Sequence, residues 1–305
     1  MVQILAQNVN IAKLANVNFV SSIKNIRINM NDLQKSLSAN AIFSGMCGLT
    51  LIAFHKSTAN LFGLKDSTAF WITGIALIFF VFTLILEIVK RRPIPVLWII
   101  IQDTLWVTGS IILLVYLPFG ISNTGNIIIA VVALIVALIA FYQASALSQI
   151  DALSTSGNKL FRFERRVNAS KQNVWKVISD VSSYHQVAPN IDDVKIISGE
   201  GEGMVRKCSH GKDSWTETCS MWVEERTYSF EVNTSAPDYP YPLKYLKGTW
   251  EVNEINNDTT KVIMLFEFTY KYKIYNVVLH PLLRDAFKKT AEELLNNWQN
   301  ILEKK

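Results

Sequence analysis

The sequence predicts an α-helical membrane bundle of four transmembrane helices, followed by a water-soluble α+β domain with an antiparallel sheet and a long C-terminal helix. Three observations support this fold class. The first half contains four apolar runs, the segments after residue 158 alternate between apolar and polar residues, and the C-terminal segment has helical periodicity. The apolar runs are residues 41–62, 70–89, 96–117 and 126–144.

Each apolar run is close to the length of about 20 residues that a helix needs to cross a hydrocarbon core of about 30 Å. Basic residues precede the first run and occupy positions 90–92 between the second and third, whereas 118–125 has no charge. Because basic loops stay in the cytoplasm, the sequence predicts a multi-pass protein of the cell membrane whose N-terminus and C-terminal domain are cytoplasmic. The predicted domains are an N-terminal cytoplasmic arm (1–35), a transmembrane domain (36–150) and a soluble domain (155–305).

Charge and cysteine content exclude several functions for the soluble part. Residues 159–305 contain 21 Lys and Arg against 20 Asp and Glu, and no basic stripe with interleaved aromatic residues is present, which argues against nucleic acid binding. Cys47, Cys208 and Cys219 lack metal-site spacing, and a cytoplasmic domain does not favour a disulfide. We therefore expect no metal and no cofactor. The first 30 residues lack a compact apolar core after positive charge, so no cleavable signal peptide is expected.

Two polar residues, Gln102 and Asp103, lie about two turns into the third apolar run. An ionisable group at that depth is costly and usually faces other helices or a wet cavity. Two interpretations are open: a proton or ligand site within the bundle, or an aspartate that is hydrogen-bonded to a neighbouring helix. The runs show no broken-helix repeat typical of transporters, so anchoring is the expected role of the bundle.

The soluble part begins with a strand at 160–167 and a helix at 171–179. Ser170 is the expected N-cap of that helix, because a serine oxygen accepts from the unpaired N–H groups of the first turn. A second short helix near 181–187 ends before Pro189. Six antiparallel strands follow, joined by residues typical of turns. They are predicted at 194–198, 203–209, 214–223, 227–233, 247–252 and 261–270.

Alternation and helical spacing indicate which faces are buried. One face of the last strand contains Val262, Met264, Phe266, Phe268 and Tyr270. The C-terminal helix has a single apolar stripe, formed by Leu283, Phe287, Ala291, Leu294, Trp298 and Leu302. The predicted order is therefore a strand, two short helices, six antiparallel strands and one long amphipathic helix.

Three segments in this order resemble the START-like, or SRPBCC, superfamily, whose members include the polyketide cyclase/dehydrase and lipid-transport proteins. The segments are 170–180 with Val174, Trp175 and Ile178, then 215–217, and finally 248–252 with the following turn at 257–262. The resemblance covers about residues 155–305. It implies a helix-grip fold, in which a curved antiparallel sheet wraps the C-terminal helix and encloses an apolar cavity for lipids, sterols, quinones, hormones or polyketides.

The apolar runs make the membrane one partner, and the resemblance implies a hydrophobic small-molecule ligand as another; the sequence does not identify any protein partner. The expected cavity lining consists of inward-facing residues: Trp215, Cys219, Met221, Phe230, Trp250, Met264, Phe266, Phe268, Leu283 and Phe287. The proline-rich segment 235–243 is too stiff for a central strand, and its Tyr239 and Tyr241 are expected at the cavity entrance. The alternatives are an interior that is simply full and a rigid surface loop without a role.

The leading prediction is membrane-tethered binding or transfer of a lipid, quinone or polyketide-like molecule. One alternative is a cyclase- or dehydratase-type enzyme. Of the polar candidates Glu217, His185, His210, Asp213 and Glu267, it would use Glu217 as acid/base, because Glu217 alternates in phase with the apolar Trp215, Cys219 and Met221, a phase that favours an inward position. No Ser/His/Asp order, phosphate loop or metal spacing supports an enzyme. The other alternative is a membrane-anchored protein-docking module.

Overall fold

The computed structural model describes residues 30–116 and 120–303. The predicted N-terminal arm lies almost entirely outside these residues. Contacts divide the described chain into two units. One is a helical unit of residues 30–150 together with 276–282, and the other is an α+β unit of residues 151–275 and 283–303.

The helical unit contains four helices that are long and apolar enough to cross a membrane, as predicted. The helices of this unit are α1 (Met30–Ala53), the short α2 (His55–Leu61), α3 (Thr68–Lys90), α4 (Pro93–Tyr116) and α5 (Asn123–Leu147). Helix α1 packs against α3 and α5, and α4 packs against α5.

The first helix differs from its prediction at both ends. It begins at Met30 rather than near residue 41, because Leu33 and Leu37 are spaced one turn apart and both face the buried core of the unit. Interspersed Asn and Ser residues lower the local hydropathy and hide this turn from a search for apolar runs. The helix ends at Ala53, and the backbone of Phe54 (φ −121°) separates it from α2.

The α+β unit is a seven-stranded antiparallel sheet with a long C-terminal helix, a helix-grip fold. Its strands are hydrogen-bonded in the order β1-β7-β6-β5-β4-β3-β2. Helix α6 (Lys171–Ile178) follows β1, and α7 (Tyr275–Val278) and α8 (His280–Glu303) follow β7. Most of α7 and the first three residues of α8 belong to the helical unit. The strands are β1 (Lys159–Val167), β2 (Asp193–Ser198), β3 (Val205–His210), β4 (Asp213–Val223), β5 (Thr227–Val232), β6 (Leu243–Asn256) and β7 (Thr259–Tyr270).

Local chemistry accounts for the ends of these elements. The Ser170 side chain accepts a hydrogen bond from the Asn173 N–H, which makes it the N-cap of α6 as predicted. The second short helix is reduced to a 3₁₀ turn at Tyr184–Gln186. Gly199 and Gly203 adopt positive φ (76° and 86°) in the turn between β2 and β3, where a side chain would be strained.

The core of the α+β unit lies between the sheet and one side of α8. Ala291, Leu294, Leu295 and Trp298 of α8 are buried in the same cluster as inner-face residues of the sheet. Burial of this stripe is the main stabilisation of the helix, because most helical stability in proteins comes from packing of the apolar face. The opposite side of α8 is charged and exposed at Lys289, Glu292 and Glu293.

Candidate functional site

The candidate site is the inner face of the sheet, which strict alternation fills with aromatic side chains. Tyr228 and Phe230 of β5, Trp250 of β6 and Met264 of β7 are all buried. The register pairs Tyr228 with Trp250 and Trp250 with Met264, so these side chains lie side by side on one face. The Trp250 ring stacks on Tyr228 with centroids 5.0 Å apart and lies edge-on to Phe266 at 5.8 Å.

Phe287 of α8 meets three phenylalanines of the sheet. Its ring centroid lies 5.3 Å from that of Phe161, 5.2 Å from Phe266 and 6.0 Å from Phe268. We call these four residues the phenylalanine cluster. Phe266 and Phe287 are only partly buried, so the cluster is the less tightly enclosed part of the interior.

A buried ion pair lies on strands β3 and β4. Arg206 and Glu217 are directly opposite in the register, and the Arg206 Nε and Nη2 atoms both donate to Glu217 Oε2, at 2.8 and 2.7 Å. The Trp215 Nε1–H donates to the other carboxylate oxygen at 2.7 Å. Glu217 therefore points inward, as its phase in the sequence predicts, and both of its oxygens are occupied by donors of the protein.

Arg206 is 1% exposed, which is unusual for an arginine. Its guanidinium carbon lies 3.8 Å from the ring centroid of Phe230 and 5.0 Å from that of Tyr184. Burial acts to lower the pKa of the guanidinium, but the charge of Glu217 outweighs it and the pKa is raised. Arg206 is thus fixed as a cation within an aromatic interior.

Sequence reasoning missed Arg206, although a signal was present. Arg206 and Cys208 are in phase on β3, and both are buried. An arginine at an inward position beside an inward glutamate on the next strand predicts a buried pair. The signal was overlooked because arginine is rarely found fully buried.

Two predicted lining residues lie elsewhere. A β-bulge between Cys219 and Met221 shifts the alternation of β4 by one residue, so Trp222, not Met221, packs with Tyr228 and Trp175. Leu283 is exposed and does not join the cluster, because it lies one turn before the part of α8 that contacts the sheet. Trp215, Cys219, Phe230, Trp250, Met264, Phe266, Phe268 and Phe287 all belong to the inner-face clusters.

The two tyrosines expected at the entrance form a pair beside Trp215. Tyr239 is buried and Tyr241 is 37% exposed, and their ring centroids are 5.7 Å apart. Tyr241 lies edge-on to Trp215 at 5.6 Å, which brings segment 235–243 next to the Trp215–Glu217–Arg206 chain of hydrogen bonds. Burial raises the pKa of both phenols, so they are neutral donors at ordinary pH.

The two polar residues of α4 have different surroundings. Gln102 is exposed on the outside of the helical unit, whereas Asp103 is buried and accepts a hydrogen bond from Asn40 Nδ2 at 2.7 Å. Ser44 in turn donates to Asn40 Oδ1 at 2.9 Å. Of the two open interpretations, the contacts favour hydrogen bonding to a neighbouring helix, because α1 supplies the partner.

Metal ligands are not grouped in the part of the chain that the structure describes: no three His, Cys, Asp or Glu residues there could hold an ion. Within the same residues the three cysteines are free. The inner face itself contains aromatic rings and one buried ion pair.

Comparison with known proteins relates residues 160–303 to the family model described as polyketide cyclase / dehydrase and lipid transport. No curated protein matches the chain. Similar solved structures include the Zhui aromatase/cyclase from Streptomyces sp. R1128, with 16% identity over 47% of this chain and 95% of that chain (TM-score 0.37). A START superfamily protein from Mycobacterium smegmatis is 14% identical over 47% and 97% (TM-score 0.40). Norcoclaurine synthase from Thalictrum flavum is 17% identical over 48% and 88% (TM-score 0.39).

Proposed function

Because residues 160–303 match the family model described as polyketide cyclase / dehydrase and lipid transport, we propose that this protein binds a hydrophobic small molecule between the sheet and α8. The observation that supports this most directly is the phenylalanine cluster. Four phenylalanines from β1, β7 and α8 meet there, and two of them are only partly buried. Aromatic side chains with little polar competition favour a lipid, a quinone or a polyketide-like molecule over a polar metabolite.

In our proposal, the helical unit determines where in the cell the ligand is bound. Four apolar helices on the same chain hold the α+β unit at a membrane, in our proposal at the cytoplasmic face of the cell membrane. A tether raises the effective concentration of the binding unit towards a ligand that dissolves in the bilayer, without any further contact. The protein would then bind or transfer molecules that enter from the membrane.

The test is to identify what the full-length protein holds. The chain is purified in detergent, its organic extract is analysed by mass spectrometry, and each compound is compared with an extract of the host membrane. We expect one hydrophobic compound enriched at least about tenfold, and a clear loss of it in Phe287→Ala, which removes a ring from the phenylalanine cluster.

The matched control is Leu302→Ala, which also shortens a partly buried side chain of α8. Leu302 packs against the core cluster that contains Leu294 and Trp298, and not against the phenylalanine cluster. Both variants are first checked for an unchanged unfolding transition. Equal amounts of the compound on Phe287→Ala and wild type would contradict the proposed site. A profile indistinguishable from the host membrane would contradict the proposed function.

A further inference from the structure

Two buried N–H groups on the inner face lack an acceptor, as do the hydroxyl groups of Tyr239 and Thr227 in the same unit. Among the described residues, Arg206 Nη1 and Trp250 Nε1 are shielded from solvent and have no hydrogen-bond partner. Arginine and tryptophan side chains are donors only, so each of these N–H groups requires an acceptor. A buried donor without an acceptor is strongly unfavourable and rare in folded proteins.

The two donors belong to one region, because Tyr184 contacts both side chains. The Tyr184 ring centroid is 5.0 Å from the guanidinium carbon of Arg206 and 5.8 Å from the ring centroid of Trp250. The guanidinium carbon also lies 3.8 Å from the ring centroid of Phe230. A ring face is at most a weak acceptor for an N–H group. The aromatic neighbours therefore do not replace the oxygen acceptor that Nη1 lacks.

The charge of the region selects the kind of acceptor. Arg206 is already neutralised by Glu217, which sits on its Nε and Nη2 atoms. A carboxylate or phosphate placed at Nη1 would add a second negative charge to an interior where no further cation of the described residues forms an ion pair with Glu217. Burial of an unpaired charge is much more costly than burial of a hydrogen-bonded neutral group. A neutral carbonyl oxygen satisfies the donor without that cost.

We propose that Arg206 Nη1, assisted by Trp250 Nε1, is a recognition subsite for a neutral carbonyl oxygen of the hydrophobic ligand. This inference rests on the proposed function and narrows it. The ligand is an uncharged molecule with an apolar body for the phenylalanine cluster and at least one ketone- or quinone-type oxygen. Fatty acids and lipid phosphates are excluded from the subsite by their charge.

Three probes of matched shape test whether the subsite prefers a neutral carbonyl oxygen. They are 2-acetylnaphthalene, 2-naphthoate and 2-ethylnaphthalene. They present a ketone, a carboxylate and no acceptor, on the same aromatic body. Binding to the full-length protein in detergent micelles is followed by quenching of tryptophan fluorescence, corrected with protein-free micelles. We expect the ketone to bind about tenfold more tightly than the ethyl compound, as a hydrogen bond from a charged donor provides, and more tightly than the carboxylate.

Two variants locate the preference. The double variant Arg206→Met with Glu217→Gln removes the donor and keeps the region neutral, which avoids a buried unpaired carboxylate. It should bind the ethyl compound as wild type does but lose the preference for the ketone. Trp250→Phe keeps the aromatic stack and removes only Nε1, so it should reduce the preference partly. If the double variant does not fold, Trp250→Phe by itself tests whether the N–H donors cause the preference for the ketone.

The outcomes separate this inference from the proposed function. Tighter binding of the carboxylate than of the ketone would overturn the neutral subsite. A ketone preference that survives in both variants, or equal affinity of wild type for all three probes, would overturn the role of Arg206 and Trp250 while leaving a hydrophobic site. Failure of all three probes to bind would count against the proposed function itself.

Discussion

At the scale of single residues, the interior of the α+β unit is tightly packed and contains one buried ion pair, Arg206 with Glu217. Tyr228 is fully buried and its hydroxyl donates to the Ile178 carbonyl at 2.6 Å, so it is both stacked and hydrogen-bonded. Arg206 is as buried but only partly satisfied. The contacts of Tyr228 are those of a residue that stabilises the core. The unpartnered Nη1 of Arg206 is instead better explained by the proposed binding of a ligand.

Gly248 provides a test of how closely the aromatic stack is packed. A Cβ atom at this position would lie 2.5 Å from Cη2 of the Trp250 ring, and that ring cannot retreat because it stacks on Tyr228. Gly248→Ala should therefore destabilise the α+β unit by about 1–3 kcal/mol, although the same change at an open site would stabilise it slightly. Denaturant unfolding of the full chain, followed by tryptophan fluorescence, measures the loss.

The control for Gly248→Ala uses the neighbouring ring. In a Trp250→Leu background the clash is removed, and the alanine should then have little effect, which is a double-mutant cycle for the pair. An equal penalty in both backgrounds would show that the backbone of β6, and not the Trp250 ring, limits this position.

At the scale of elements, phase and register decide which residues meet. The bulge in β4 replaces Met221 by Trp222 on the inner face. Asp151, in the segment before β1, is joined to the first turns of α8 by charged groups: it accepts from Arg284 Nε at 2.7 Å and from Lys288 Nζ at 3.2 Å. Lys159, the first residue of β1, is buried beside this cluster.

Lys159 predicts a dependence of stability on pH. Burial lowers the pKa of its ammonium group to about 8, a shift that Asp151 opposes and Arg284 assists. In an unfolded chain the pKa is about 10.4. Between these two values the unfolded state holds the proton and the folded state does not, so this group's contribution to stability rises with pH. The cost of burying the charged form is fully present below about pH 8.

The measurement compares wild type with Lys159→Met at pH 7.5 and pH 9.5. Five of the eight tryptophans lie in the α+β unit, so fluorescence reports mainly on its unfolding. The stability advantage of the variant should shrink by about 2 kcal/mol between the two pH values. Buried thiols and phenols with raised pKa, such as Cys208 and Tyr228, act in the opposite direction but cancel in the comparison. A pH-independent difference would contradict the lowered pKa.

At the scale of the whole molecule, the chain joins an apolar helical unit to an α+β unit whose charges nearly balance. Most of the excess of basic residues lies before residue 159, in the N-terminal arm and the 90–92 loop, which supports the proposal that the N-terminus and the α+β unit share the cytoplasmic side. This uneven distribution of charge explains why the isoelectric point of the whole chain is high although the α+β unit is nearly neutral.

Cysteine labelling tests the proposed topology. Ser156→Cys and Thr124→Cys place a thiol at exposed positions, one after α5 and one at its start. A membrane-impermeant maleimide should label Thr124→Cys in intact cells and Ser156→Cys only after permeabilisation. Wild type serves as the blank for the three native cysteines. Labelling of Ser156→Cys in intact cells would reverse the orientation.

The sequence by itself determined the class and order of the elements. Apolar length specified the four helices, two-residue alternation specified the strands, and the stripe from Phe287 to Trp298 specified the buried side of α8. These features depend on local periodicity, which is visible in any single chain. The presence of the aromatic inner face and the inward direction of Glu217 followed from the same periodicity.

Tertiary structure decided what those residues do. The pairing of Arg206 with Glu217 depends on the register of β3 with β4, and the exchange of Met221 for Trp222 depends on a bulge of one residue. The burial of Asp103 and the exposure of Gln102 depend on how α4 is rotated against its neighbours. Register, bulges and helix rotation are set by packing between distant segments. A local pattern therefore indicates which side chains point inward, but not which of them meet.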